Sequence, residues 1–248
     1  MAPVCNLLVK GYVFMRKNHR VLSALCALLL CVSVAVPALA GGTQIRGWDG
    51  SSYQYVNFGD LYGSSMPKPI LWRVLAVYGN NALLLSELAL DSRQFDTNSS
   101  DWNTSKIKAW LNDTFLNGAF NNRSEFDALL NDAELGRVFL LAKGDYLDES
   151  LGFSATEHYA DNARRTSSDA TAIQNGAWTT KINSYCTYYT RTANDKNTLW
   201  QVRGDGALGI ARYDRDNVAI RPAVRVDLSR LSVAGGDGTM ASPFFFSR

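Results

Sequence analysis

Histidine and cysteine, two residue types common in reactive centres, are scarce in this sequence. It contains two histidines, His19 and His158, and four cysteines, of which Cys186 alone follows residue 40. A zinc site needs three or four His, Cys or carboxylate ligands, and a Ser/His/Asp triad needs a histidine beside its nucleophile. Beyond residue 40 the sequence supports neither kind of site. Cys186 lies in an alternating, strand-like segment, and we interpret it as a buried, inert thiol.

Proline and net charge are also low. Six prolines, 19% charged residues and 46% hydrophobic residues argue against collagen-like, coiled-coil and disordered classes. Four of the 25 basic residues and none of the 23 acidic ones precede Gly41, so the remaining chain, with 21 basic and 23 acidic groups, is nearly neutral. This balance argues against nucleic acid and against an anionic membrane surface as partners.

The one long hydrophobic run lies at the N-terminus. Basic residues within 16–20 precede an uncharged apolar stretch over residues 21–36 and the sequence Pro37-Ala38-Leu39-Ala40. This order is typical of a secretory signal peptide with an A-x-A cleavage site. An uncleaved membrane anchor is the alternative interpretation.

The leader predicts where the protein acts. We expect residues 1–40 to be a signal peptide, with Met15 as the true start, and residues 41–248 to form a single exported domain. The localisation expected is extracytoplasmic: the periplasm, the cell surface or the medium. After cleavage we expect no transmembrane segment.

Three segments predict helices. The apolar residues Ile107, Trp110, Leu111 and Phe115 share one helical face, with Asn103 or Thr104 as the N-cap. A second short helix is predicted from Ser124. A third is predicted over residues 154–165, because Ser154 and Glu157 have the spacing of a capping box. The polar residues 166–176 that follow predict an exposed loop.

Strand patterns lie on both sides of these helices. Residues 70–77 and 82–85 flank Gly79-Asn80-Asn81 and predict a β-hairpin. Further strands are predicted over residues 53–58, 137–142, 185–191, 199–203, 207–213, 218–228 and 244–246. A hairpin, then two or three short helices, then a C-terminal antiparallel β region indicates an α+β fold.

A series of short segments follows a characteristic order along the chain: Leu71-Trp72-Arg73-Val74-Leu75, Ala82-Leu83-Leu84-Leu85-Ser86-Glu87, Trp102 through Trp110-Leu111-Asn112 to Phe120, Val138-Phe139-Leu140-Leu141, Tyr189-Thr190-Arg191-Thr192, Ile220-Arg221-Pro222-Ala223-Val224 and Gly236-Asp237-Gly238-Thr239. Together they resemble the uncharacterised bacterial domain family numbered 6273 among the domains of unknown function. The resemblance implies a C-type-lectin-like single domain, the fold shared by formylglycine-generating enzymes. That oxidase activity needs a pair of active-site cysteines, and residues 41–248 hold one.

Aromatic and basic residues of the C-terminal β region are the candidate ligand-binding residues. Flat apolar rings with polar rims suit sugars and peptides. Trp178 and Tyr185 are further aromatics of this region, and Arg191 and Arg221 interrupt apolar strands, where each is expected to form a structural ion pair. The ligand-binding set predicted from the sequence is Tyr188, Tyr189, Arg191, Trp200 and Tyr213.

A polar turn next to this set is a candidate calcium site. Asp214, Asp216 and Asn217 offer oxygen ligands of the kind that calcium prefers. The alternative is an ordinary β-turn, in which Asp and Asn serve the local backbone.

The function expected is an exported, non-catalytic recognition module that binds a glycan or a protein. One alternative is a glycan hydrolase that uses two carboxylates, because such enzymes need only a pair of acids. Its candidate acids are Asp145, Asp148, Glu149, Asp161, Asp214 and Asp216. A second alternative is a structural or assembly protein of the cell envelope, which predicts a broad exposed apolar patch.

Overall fold

A computed structural model of the protein describes residues 52–61, 68–181 and 184–247. The predicted signal peptide, its cleavage site and Met15 lie outside these residues. All described residues belong to one compact unit. Among them, no helix is both long enough and apolar enough to cross a membrane.

Two β-sheets make up most of the described structure. The strands are β1 (Gln54–Leu61), β2 (Lys68–Tyr78), β3 (Asn81–Ser86), β4 (Asp91–Ser92), β5 (Val138–Phe139), β6 (Tyr188–Ala193), β7 (Thr198–Val202), β8 (Leu208–Arg212), β9 (Ala219–Ile220), β10 (Ala223–Asp227), β11 (Val233–Gly235) and β12 (Phe244–Phe246). In the described residues the larger sheet has seven strands in the order β11-β12-β1-β2-β3-β10-β5, and the smaller has five in the order β4-β9-β6-β7-β8. The fold is mixed α+β.

The predicted hairpin is confirmed as β2 and β3, which pair antiparallel from Trp72 and Ser86 down to the turn at Tyr78 and Asn81. Gly79 has φ +60 in this turn, a backbone conformation that glycine adopts without steric cost. Burial alternates near the turn, and farther from it consecutive residues of both strands are buried, so the hairpin contributes Trp72, Leu84 and Leu85 to the core.

The main helical segment runs over residues 106–119. It consists of an α-helix, Lys106–Trp110, a π-helical turn, Leu111–Phe115, and a last α-turn, Leu116–Ala119. Ile107, Leu111 and Phe115 of the predicted face are buried, and Trp110 of that face is half-buried. The N-cap is Ser105 rather than Asn103 or Thr104, because Trp102–Thr104 forms a 3₁₀ turn of its own.

The other short helices agree only partly with the predictions. A helix at Arg123–Ala128 confirms the second one, with Asn122 as its N-cap. Residues 166–176, predicted as a loop, contain the helix Ala170–Gln174, capped by Asp169. The 3₁₀ turns are Trp102–Thr104, Asp145–Leu147, Glu149–Leu151 and Leu228–Arg230.

The helix predicted over residues 154–165 is wrong, and the buried Arg164 explains why. Its guanidinium donates to the carbonyl oxygens of Tyr146, Ser154, Thr156 and Gly206. These carbonyl oxygens accept from a side chain, whereas in an α-helix they would accept from the N–H groups four residues later. The capping-box spacing at Ser154 and Glu157 therefore does not start a helix. The segment instead wraps around Arg164.

A second wrong prediction is a single strand over residues 218–228. The chain breaks at Arg221-Pro222, so β9 joins the smaller sheet and β10 joins the larger one. Proline has no N–H for a ladder. Arg221 lies fully buried at the crossing, and its Nε donates to the Ser86 carbonyl oxygen at 2.8 Å.

The predicted ion pair of Arg221 is also wrong. Its Nη1 donates to the Arg164 carbonyl oxygen and to the Tyr188 hydroxyl, both at 3.1 Å, and in the described part of the chain it forms no ion pair with a carboxylate. Arg191 does form the expected pair, at 3.0 Å from Asp145. The two arginines have different partners because Arg191 lies near the surface, whereas Arg221 is buried and links the two sheets.

Cys186 is buried, as predicted. Burial raises the pKa of its thiol to about 11, so little thiolate forms near neutral pH.

We expect wild type and Cys186→Ala to show equal numbers of fast-reacting thiols in a native thiol-reagent titration, and to differ by one after denaturation. A native difference of one would contradict the buried position.

Candidate functional site

An open groove of about 450 Å³ lies beside the smaller sheet. Four separate stretches of chain meet there. They are Trp178, Thr187, strand β7, and strand β8 together with the turn after it. The side chains most relevant to binding are Trp178, Gln201, Ile210, Arg212, Arg215 and Asn217. We call this the Trp178 groove.

Trp178 is the exposed aromatic of the groove, with 51% of its surface accessible. Its backbone N–H donates to the Asn217 carbonyl oxygen at 2.9 Å, which ties the loop to the turn after β8. Its ring lies beside Gly204, where an added Cβ would be 3.6 Å from Trp178 Cζ3. The indole is thus held in place while much of it stays open to solvent.

The turn over residues 212–217 is anchored from below. The hydroxyl of the buried Tyr189 donates to the carbonyl oxygens of Arg212 at 2.7 Å and Arg215 at 3.1 Å. Ser92 Oγ donates to the Asp216 carbonyl oxygen at 2.8 Å. These bonds fix the backbone that carries both groove arginines.

The groove is basic. Arg212 and Arg215 line it, and no carboxylate is among the described residues that line it. Arg212 pairs with Asp214 through Nε at 2.9 Å and Nη2 at 2.7 Å, and this bond holds the pKa of Asp214 below its usual range. Arg215 is exposed and forms no ion pair within the described part of the chain. Its guanidinium is therefore the one most available to an anionic ligand.

The turn does not fit a calcium site. Both carboxylate oxygens of Asp214 already accept from Arg212, so a calcium ion would have to displace a guanidinium. Asp216 offers its backbone oxygen to Ser92. Nowhere in residues 52–61, 68–181 or 184–247 do three acidic, His or Cys side chains come together as a metal site. The arrangement of Asp214, Asp216 and Asn217 is that of a backbone turn.

Two of the predicted ligand-binding residues need correction. Tyr188 and Tyr189 are 0% and 1% exposed, so neither ring presents a face to a ligand. Both are core residues because each hydroxyl finds a backbone carbonyl inside the fold, that of Arg164 for Tyr188 and those of the groove turn for Tyr189. Tyr189 acts on the groove only through the backbone it supports.

The remaining predicted residues are not brought together in the groove. Trp200 is covered by Lys143, whose Nζ lies 3.5 Å from the ring centroid and 2.6 Å from a Glu157 carboxylate oxygen. Arg191 is held by Asp145. Tyr213 is half-buried beside the groove turn, where its carbonyl oxygen accepts from the N–H groups of Phe95 and Asp96.

Four of the six candidate hydrolase acids are engaged in structural contacts. Asp145 pairs with Arg191, Asp161 with Arg164 and Asp214 with Arg212. Asp148 caps the turn Glu149–Leu151. Glu149 lines a separate groove of about 270 Å³ near β2, in which it is the one acid among the described lining residues. These positions do not assemble a carboxylate pair in the Trp178 groove.

A further groove of about 520 Å³ lies at the end of the β2–β3 hairpin, beside Tyr78 and Arg225. Arg225 is paired with Asp132 at 3.2 Å, so the cation of this groove is already neutralised. We therefore take the Trp178 groove, with its unpaired Arg215, as the candidate functional site.

Comparison with known families bears on more than half of the chain. A family model described as Domain of unknown function (DUF6273) matches residues 79–228. The chain belongs to this family. The matched region contains every described residue that lines the Trp178 groove. No curated protein matches the chain. No solved structure matches it either.

Proposed function

We propose that this DUF6273 domain is a non-catalytic recognition module that binds a glycan or a protein outside the cytoplasm. The observation that carries the proposal is the Trp178 groove, where an open indole, two amide side chains and an unpaired guanidinium share one surface. An exposed aromatic ring beside several polar side chains suits a ligand that has both apolar faces and polar groups. The groove lining lacks the carboxylate pair that a glycosidase uses, as far as the chain is described.

The assembly alternative has less support. The exposed large hydrophobic side chains fall in small groups on different elements, such as Val77 and Tyr78 on the hairpin, Ile173 on the helix Ala170–Gln174, and Val233 and Phe245 on the paired strands β11 and β12. Surface apolar residues scattered in this way are ordinary in soluble domains, whereas an assembly surface gathers them in one patch.

Two further parts of the proposal concern architecture and location. The C-type-lectin-like fold is supported by helices that precede a closing β region containing the candidate site. Export is supported by the basic residues, apolar stretch and A-x-A sequence at the N-terminus. Sequencing the N-terminus of the protein recovered from its host tests the second part, with Gly41 expected as the first residue and an intact leader as the contrary result.

A retention assay tests the recognition function. The purified protein is applied to arrayed glycans, peptidoglycan and a peptide library, in calcium and again in chelator. We expect saturable retention that falls at least about tenfold in Trp178→Ala, because the indole supplies the flat contact surface. Retention should be the same in chelator, since Arg212 occupies the Asp214 carboxylate.

Tyr159→Ala is the matched control, because Tyr159 is an exposed aromatic that does not line the groove. It should be retained like wild type. Equal losses in both variants, or no retention on any surface, would count against the proposed function. Loss of retention in chelator would support calcium binding at the turn around Asp214.

A further inference from the structure

We propose that the ligand of the Trp178 groove is a carboxylate-bearing oligosaccharide, with one sugar ring stacked on Trp178 and its carboxylate bound by Arg215. This inference rests on the proposed function and names its ligand class. Three observations support it: the charge of the groove, the hydrogen bonds already made by backbone groups on the edge of β8, and the kinds of side chain that line the groove.

Charge indicates an acidic ligand. The described lining residues include two arginines and no acid, and Arg212 is neutralised by Asp214. Arg215 forms no ion pair within the described residues, and Tyr189 holds its backbone in place. A planar guanidinium on an anchored turn is suited to bidentate hydrogen bonding with a carboxylate.

The edge of β8 argues against a peptide that binds as an added strand. Such a peptide needs free outward N–H and C=O groups on the edge strand. In this edge the Leu208 N–H already donates to the Glu157 carbonyl oxygen at 2.8 Å. The Ile210 carbonyl oxygen accepts from Gln201 Nε2 at 3.1 Å, and that of Arg212 accepts from Tyr189.

The rest of the lining suits a sugar. Gln201 and Asn217 offer amides, and Thr187 and Thr198 offer hydroxyls, next to the open face of Trp178. Amide and hydroxyl groups hydrogen-bond the hydroxyls of a saccharide, and an aromatic ring covers its apolar face. Ile210 is the one large exposed aliphatic side chain among the described lining residues, whereas a peptide groove needs several apolar contacts.

Calorimetry with matched probes tests the ligand class. The acidic probes are tetragalacturonate, a hyaluronan tetrasaccharide and sialyllactose, and each is compared with its methyl ester, which keeps the sugar and removes the charge. We expect at least one acid to bind about tenfold or more tightly than its ester. Arg215→Gln should abolish that difference by weakening the acid alone, and Trp178→Ala should weaken both forms.

Arg123→Gln is the matched charge control, because Arg123 is 92% exposed in its side chain and lies outside the groove lining. It should leave the affinity for the acid unchanged, and added salt should weaken the acid more than the ester. Equal binding of acid and ester, or equal effects of the two arginine variants, would overturn the acidic ligand. If that binding still depends on Trp178, the recognition function is preserved. Retention of peptides without retention of any glycan would likewise overturn the acidic ligand and preserve the recognition function. Failure of every glycan and peptide to bind overturns both proposals.

Discussion

Replacing Arg73 with methionine is expected to lower the free energy of unfolding by about 3–5 kcal/mol, the cost of removing one partner from a buried ion pair. Arg73 is 0% exposed and bonds Glu87 through Nε and Nη2, both at 2.9 Å. Burial works to lower the pKa of Arg73, and Glu87 more than offsets it, so the net shift is upward. The guanidinium also donates to the Ala163 carbonyl oxygen at 2.6 Å. Without Arg73, Glu87 and that carbonyl stay buried and lose their donor.

Urea unfolding measures this effect, and a double variant separates the pair from the packing. Arg73→Met with Glu87→Leu removes both charges and should recover part of the loss, because a buried pair replaced by apolar side chains is often neutral in stability. The control is Arg123→Met, which breaks the exposed pair with Asp127 and should cost less than about 1 kcal/mol. A loss for Arg73→Met no larger than that of the control would contradict the structural role of the buried pair.

The hairpin shows how far local sequence signals reach. An apolar run, a Gly-Asn-Asn turn and a second apolar run lie next to each other in the chain, so their pairing is encoded within 20 residues. The face of the main helical segment was predictable for the same reason. Its exact N-cap was not, because Asp101 accepts from the Asn103 N–H and starts a separate 3₁₀ turn first.

The buried arginines show where local signals fail. The capping-box spacing at Ser154 and Glu157 is genuine, but Arg164 takes the carbonyls that a helix would use. Arg221 was expected to meet an acid, since charges are seldom buried unpaired. It meets carbonyls and a tyrosine hydroxyl contributed by residues 33 or more positions away in the sequence. Such long-range partners leave no mark in the local pattern.

The groove was predictable only in part, for the same reason. Asn217 and the turn around it were recognised from their polar residues, and Trp178 belonged to the group of aromatics considered. Alternation along a strand does not tell which face is covered, so the predicted ligand-binding set contains Tyr188 and Tyr189 and omits Trp178. Gln201 and Arg215 were missed because nothing in the local sequence indicates that β7 and the turn after β8 line one surface.

Replacing Arg164 with methionine should destabilise the protein by about 3 kcal/mol and loosen residues 154–164 most of all. Its guanidinium donates to several backbone carbonyls and approaches Asp161 at 3.3 Å, and among the described residues no other donor reaches those carbonyls. Burial lowers the pKa of Arg164, and the nearby Asp161 acts against that shift. Arg164→Lys should recover little, because one ammonium cannot reproduce the planar fork.

Hydrogen exchange, read segment by segment, distinguishes this role from general destabilisation. Amides of residues 154–164, including Ala163, whose N–H donates to Asp161, should exchange faster in Arg164→Met than those of the β2–β3 hairpin. Arg165→Met is the neighbouring control, since Arg165 is half-buried and its Nε makes one bond, to the Asp205 carbonyl oxygen. It should leave exchange in the 154–164 segment close to wild type. A uniform increase across the whole chain in Arg164→Met would instead mean that this guanidinium stabilises the fold as a unit and does not specifically organise the segment around it.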